Sequence, residues 1–205
     1  AARQAMRAAP LSEAKRPVRA GMSGGAYKPL TDEQILAIHE SALEALETIG
    51  LADAPQSGVD IMVKVGAILG DDGRLRYPRA IILEALEKAA KGITLYSRDG
   101  KNDLTLSGKR VHYGTAGAAV HMVDVEGNDY RESTIQDLHD AARIVDKMDN
   151  IHFLQRPMVA RDILDNYEMD MNTIYASCAG TTKHIGTSIF DPEYVQGCLD
   201  LLHTI

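Results

Sequence analysis

Arg156 follows Gln155 and precedes Pro157 at the end of an apolar run that begins at Ile151. A guanidinium at the end of a buried strand has few innocent partners. It either grips the carboxylate of a ligand in a two-pronged hydrogen bond or pairs with a structural acid such as Asp162. Tyr96 and Tyr113 add aromatic faces. The chain has eight tyrosines, two phenylalanines and no tryptophan, so tyrosine supplies most of its aromatic surface. Such a face attracts a quaternary ammonium through cation–π interaction, and a core tyrosine with its hydroxyl bonded is the alternative at each position. His112-Tyr113-Gly114-Thr115-Ala116-Gly117 reads as a strand running into a small-residue turn. Residues as small as Gly114 and Thr115 let a neighbour approach the backbone closely, and a tight structural turn uses them in the same way.

Several chemistries lack their motifs. The sequence holds no HExxH pair, CxxC, GxxxxGK[ST] or GxSxG, and Gly114 and Gly117 do not make a GxGxxG. His112 and His121 flank the candidate strand without a cysteine or carboxylate cluster to complete a ligand set, so they read as structural and no tightly bound metal is expected. Asp165, Glu168 and Asp170 read as the solvated face of a helix. Two cysteines, Cys178 and Cys198, with no close pairing suit reduced thiols and a cytoplasmic setting. No apolar run approaches the roughly 20 residues that span a bilayer. The net charge of −7 argues against nucleic acid as the main partner. Charge is unevenly spread: residues 1–29 carry six Lys and Arg against Glu13 alone. The arm reads as a solvated tail lying along an acidic body or a neighbouring subunit, which gives the expectation of a homo-oligomer.

The elements that must position these residues follow from periodicity and punctuation. Pro10, Pro17, Pro29 and the glycines of 21–25 make residues 1–29 an extended arm. Thr31 and Gln34 form a capping box, and Ile35, Ile38, Ala42, Leu46 and Ile49 recur at helical spacing before Gly50, with His39 half-exposed among them. A helical piece near Val59–Val65, a hairpin about Asp71-Asp72-Gly73, a helix from Pro78 to Gly92 and strands at 93–97 and 103–106 complete an α+β layer over residues 30–108. From 109 to 205, strands near 111, 151–156 and 183–189 alternate with helices at 135–148, 163–177 and 191–205. A hairpin at 120–131 interrupts the first crossover. This alternation predicts parallel pairing through crossovers. The expected fold is α/β: the first three or so units of a TIM (β/α)8 barrel, incomplete, behind the small layer and the arm. A closed barrel takes roughly 250 residues, so the chain is expected to be part of a longer protein. Ligand contacts then belong at the carboxyl ends of the strands, where Tyr113, Gly114, Thr115, Gln155 and Arg156 fall, with Tyr96 reaching in from the front layer.

Gly24-Gly25-Ala26-Tyr27-Lys28-Pro29-Leu30-Thr31 with the helix that follows, Gly66-Ala67 with Asp72-Gly73-Arg74, Tyr96-Ser97-Arg98-Asp99 and Lys183-His184-Ile185 together resemble the trimethylamine methyltransferase family over nearly all of residues 21–205. The resemblance implies a TIM-barrel enzyme that moves a methyl group from a methylamine or a betaine-type quaternary amine to the Co(I) of a corrinoid carried by a partner protein. Some members use pyrrolysine, at a position beyond residue 205. A quaternary nitrogen is already a competent leaving group, so the protein mainly orients substrate and excludes water. Tyr96, Tyr113, Gln155 and Arg156 would hold the ammonium at one end and a carboxylate at the other. Gly114 and Thr115 would admit a corrin edge. The competing readings are a truncated, non-catalytic binding module and another barrel enzyme such as a lyase.

Overall fold

The computed structural model describes residues 18–124 and 126–205, and the expected arm falls outside it up to residue 17. The described residues divide into two compact units, residues 25–91 and a larger one of residues 18–24 and 92–205.

In the smaller unit, α1 (Asp32–Thr48) opens with the expected capping box: Thr31 Oγ1 accepts the Gln34 N–H and the Gln34 side chain accepts the Thr31 N–H. α2 (Gln56–Lys64) and α3 (Arg79–Lys88) flank a hairpin of β2 (Ile68–Leu69) and β3 (Leu75–Arg76), turned by Asp71-Asp72-Gly73. Val59, Ala67 and Leu75 form its core with Met62, Tyr77 and Ile81 around them. Of the apolar stripe expected on α1, Leu46 alone turns inward. Ile35, Ile38 and Ile49 are each more than half exposed, and only Leu43 is buried. The helix instead turns the line His39–Leu43–Leu46 inward. The elements packed on it, α3 of 10 residues and the two-residue β3, are too short to cover more than that line.

The larger unit begins with β1 (Met22–Ser23), antiparallel to β6 (Arg110–Val111). A hairpin of β4 (Gly92–Leu95) and β5 (Leu104–Ser107) comes before β6. A second hairpin, β7 (His121–Val123) with β8 (Tyr130–Glu132), leads to α4 (Ile135–Lys147). Then follow β9 (Leu154–Gln155), α5 (Asn166–Gly180), β10 (Ile185–Gly186), a 3₁₀ turn at Pro192–Tyr194 and α6 (Val195–Thr204). Gly114 bridges Phe153 in parallel, and β9 pairs in parallel with β10. Three parallel segments thus lie side by side in chain order, with α4 and α5 as crossovers. The parallel pairing expected from the alternation is present; the described strands are short and close no barrel, so the architecture is a mixed α/β one.

Thr134 caps α4 through a capping box with Asp137, and Leu138, Ala142 and Val145 are its buried residues as the periodicity required. Met148, just past the last turn of α4, is exposed. α5 starts three residues later than expected because Asp165 caps it, accepting the Glu168 N–H at 2.9 Å. Ala142, Val145 and Leu154 form one core cluster; Ile174, Cys178 and Cys198 form another, and Ile185 packs on both.

Candidate functional site

Alternation along the parallel strands sorts the candidate residues. Leu154 and Ile185 pack against the helices. Their neighbours Phe153, Gln155 and Gly186 therefore occupy the opposite face. There the strands interlock by size. The Phe153 ring lies where a Cβ on Gly114 would stand, and the Gln155 amide lies where one on Gly186 would stand. Thr115 Oγ1 donates to the Gln155 carbonyl at 2.5 Å, and the Arg156 N–H donates to the Gly186 carbonyl at 2.9 Å. Thr115, Gln155, Arg156 and Gly186 are thus brought together at the carboxyl ends of the three segments.

Arg156 is half-buried, and among the described residues its guanidinium has no ion pair. Asp162, the structural partner considered from sequence, is used elsewhere: it accepts the Ile135 N–H at 3.0 Å, at the start of α4. Beyond Arg156 the loops are laced together. Ala119 N–H donates to the Pro157 carbonyl (3.0 Å), Val159 N–H to the Ala119 carbonyl (2.9 Å), and the buried Ser133 hydroxyl lies 2.7 Å from the Val159 carbonyl. The carboxyl ends are therefore held rigidly where ligand contacts would fall.

The two tyrosines lie elsewhere. The Tyr96 carbonyl accepts a hydrogen bond from His184 Nδ1 at 3.0 Å, just before β10, and Tyr96 is 73% exposed. Tyr113 precedes Gly114 and pairs with His152, at the amino side of the bridge. The structure does not gather Tyr96 and Tyr113 with Arg156. The aromatic that shares a face with Gln155 is Phe153. Sequence reasoning passed over it, although alternation from Leu154 carries the signal. His112 donates through Nε2 to the Thr105 carbonyl at 3.1 Å, and His121 stacks on Tyr130 with centroids 4.7 Å apart.

Residues 1–205 match the family described as Trimethylamine methyltransferase (MTTB). The chain belongs to this family. It is 31% identical over 178 residues to Trimethylamine methyltransferase MttB of Desulfitobacterium hafniense (strain DSM 10664 / DCB-2), covering 82% of this chain and 34% of that protein. It is 26% identical over 167 residues to Trimethylamine methyltransferase MttB of Methanosarcina thermophila, covering 80% and 35%. It is 22% identical over 157 residues to a Glycine betaine methyltransferase of Desulfitobacterium hafniense (strain Y51), covering 77% and 32%. The chain spans about a third of the length of these relatives.

Two motifs by which the sequence resembles the trimethylamine methyltransferase family form one architectural knot. Arg98 donates its N–H to the Thr182 carbonyl (2.8 Å) and its guanidinium to the Cys178 carbonyl near the end of α5. Lys183 is buried, and its ammonium donates to the carbonyls of Val145 (2.7 Å), Met148 (2.6 Å) and Ile151 (2.7 Å). Both cations thus sit at helix carboxyl ends, where unpaired carbonyls and the helix dipole favour them. Burial pushes the Lys183 ammonium down, with Asp146 and Asp149 opposing. The Asp146 carboxylate accepts from the Thr182 N–H (3.0 Å) and from the hydroxyls of Thr181 and Thr182. The Thr182 N–H is the largest of the influences that hold it at about 2. Asp170, expected on a solvated face, is 2% exposed and accepts the Phe190 N–H at 2.6 Å. It shares the buried side of α5 with Thr173, Ile174 and Ser177, and so fastens the loop after β10.

Proposed function

We propose that the full protein transfers a methyl group from a betaine-type quaternary amine, or a methylamine, to the Co(I) of a corrinoid protein. It does so as a cytoplasmic homo-oligomer, on a TIM barrel whose first three units lie in this chain. The observation that carries this reading is the family match over all of residues 1–205, with relatives named for both trimethylamine and glycine betaine. The three parallel segments in chain order support the barrel.

The chemistry asks little of side chains beyond placement. In a quaternary amine, or a methylamine in its protonated form, the carbon–nitrogen bond breaks with its electron pair returning to nitrogen, which sheds its positive charge. No base is required. The corrinoid supplies the methyl acceptor. Gln155 and Phe153 share one face of β9 and offer a substrate an amide and an aromatic surface, and Arg156, just past the strand end and of the opposite parity, holds its carboxylate by reaching round that end. Gly114 and Thr115 do not fit a corrin edge: the Phe153 ring covers the first and Gln155 takes the hydroxyl of the second.

The test is methyl transfer by the full protein to a reduced corrinoid protein, followed by corrinoid absorbance across a panel of betaines and methylamines. Methylation with at least one amine is expected; no change with any of them rejects the reading. Arg156→Ala should raise KM for betaines about 10- to 100-fold, the worth of one charge-assisted hydrogen bond, and leave trimethylamine unchanged. Equal KM values for betaine in variant and wild type remove Arg156 from the site.

A further inference from the structure

His152 stands at the start of the second parallel segment, 5% exposed. Its backbone N–H donates to the Tyr113 carbonyl at 2.7 Å, and the Tyr113 N–H donates to its Nδ1 at 2.9 Å. A backbone N–H only donates, so Nδ1 must be a bare acceptor and the proton of the neutral ring sits on Nε2. That tautomer also keeps Nε2 from serving as a metal ligand. His112, one residue before Tyr113, donates through Nε2 to the Thr105 carbonyl, which leaves its Nδ1 as an acceptor. The rings meet edge to face with centroids 6.0 Å apart. His152 Nε2 and His112 Nδ1 are buried and have no hydrogen-bond partner among the described residues.

Protonating His152 turns Nδ1 into a donor aimed at another donor. The strand-to-strand bond through the ring is then lost and replaced by a clash of two N–H groups. The surroundings do not favour an imidazolium. A cavity beside the ring is lined by Arg19 from the N-terminal segment, Lys101 and Asp103 from the β4–β5 hairpin, Asp146 at the end of α4, Asp149, and Lys183 before β10. No carboxylate bonds either nitrogen of His152, since the Tyr113 N–H occupies Nδ1 and Nε2 has no partner. Burial first, then the nearby His112 and Lys183, press the ring toward its neutral form.

We infer that His152 is a pH-sensitive clasp between the first and second parallel segments, closed only while its imidazole is neutral. A base with a lowered folded-state pKa stabilises the closed form fully above its ordinary value, near 6.5. That stabilisation is lost as pH falls below this value toward the folded-state one.

Hydrogen exchange of the Tyr113 amide in the full protein, normalised to its intrinsic rate, reads the clasp directly. Wild type should lose protection below about pH 6.5 by up to tenfold per pH unit, the slope for one proton. His152→Asn places an amide oxygen near the position of Nδ1 and does not titrate, so its protection should hold from about pH 7.5 to 5.5. Flat protection in wild type, or the same loss in the variant, overturns the inference. Should the variant not fold, nitrogen shifts of labelled histidine in wild type decide. The neutral Nε2–H ring at neutral pH supports the clasp, and the Nδ1–H ring or the cation overturns it.

Discussion

Gly114 and Phe153 show how a single small residue serves this site. Sequence offers two uses for Gly114, ligand approach or tight packing. The Phe153 ring, lying where a Cβ would be, identifies the second. Gly114→Ala should destabilise the full protein by about 1–3 kcal/mol through overpacking. Phe153→Leu in the same chain should return part of that loss, and additive effects of the two would remove the contact as the cause. Chemical denaturation of the four proteins reads this. Arg156 is the opposite case. Nothing in its local sequence distinguishes a structural from a ligand-binding guanidinium. The choice turns on Asp162, which is taken by the start of α4.

At the level of elements, the end of α4 and the approach to β10 are fastened by the buried Lys183 and the half-buried Asp146. Lys183 closes three carbonyls at once, including Ile151 at the approach to β9. Lys183→Met keeps the stem but leaves those carbonyls without a donor, and should cost about 2–4 kcal/mol in a denaturant titration. An unchanged midpoint would show that water reaches the carbonyls. Asp146 gives a pH signature. Its folded-state value, about 2, is below the ordinary 3.8, so its stabilisation is complete above the latter and fades as pH falls through the former. Asp146→Asn should therefore flatten the stability profile between about pH 4 and 2, by roughly 1–2 kcal/mol. A variant profile parallel to wild type would assign that acid sensitivity to other carboxylates.

On the scale of the larger unit, three parallel segments run in chain order. The β4–β5 hairpin meets their amino ends and the laced loops meet their carboxyl ends. In a barrel the carboxyl end hosts chemistry and the amino end serves stability. The placement of residues fits that division. Arg98, Lys183, His112 and His184 bond backbone carbonyls at the amino side, while Gln155 and Arg156 stand at the carboxyl side. The corresponding prediction is one of specificity. Tyr96→Phe, at the amino side, should leave KM for every amine unchanged in the full protein, whereas Gln155→Ala should raise it for betaines. A matching rise with Tyr96→Phe would return that tyrosine to the site.

Local chemistry in the sequence sufficed for the helices and turns. Thr31–Gln34 and Thr134 cap α1 and α4 through hydrogen bonds spanning three residues, and the Leu138, Ala142 and Val145 stripe follows from a 3.6-residue period. The alternation of strands and helices was enough for parallel pairing, because a crossover helix brings the next strand back in the same direction. Partners distant in the chain were decided only in three dimensions. Which face of α1 is buried depended on how much its neighbours cover. Asp170 looked solvated until Phe190, twenty residues on, was seen to donate to it. Tyr96 looked ready to reach Arg156, but its carbonyl is engaged by His184, eighty-eight residues away, at the other end of the strands. Residue type and local period specify elements. Whether a polar group holds a ligand or a backbone carbonyl depends on what tertiary packing leaves within about 3 Å of it.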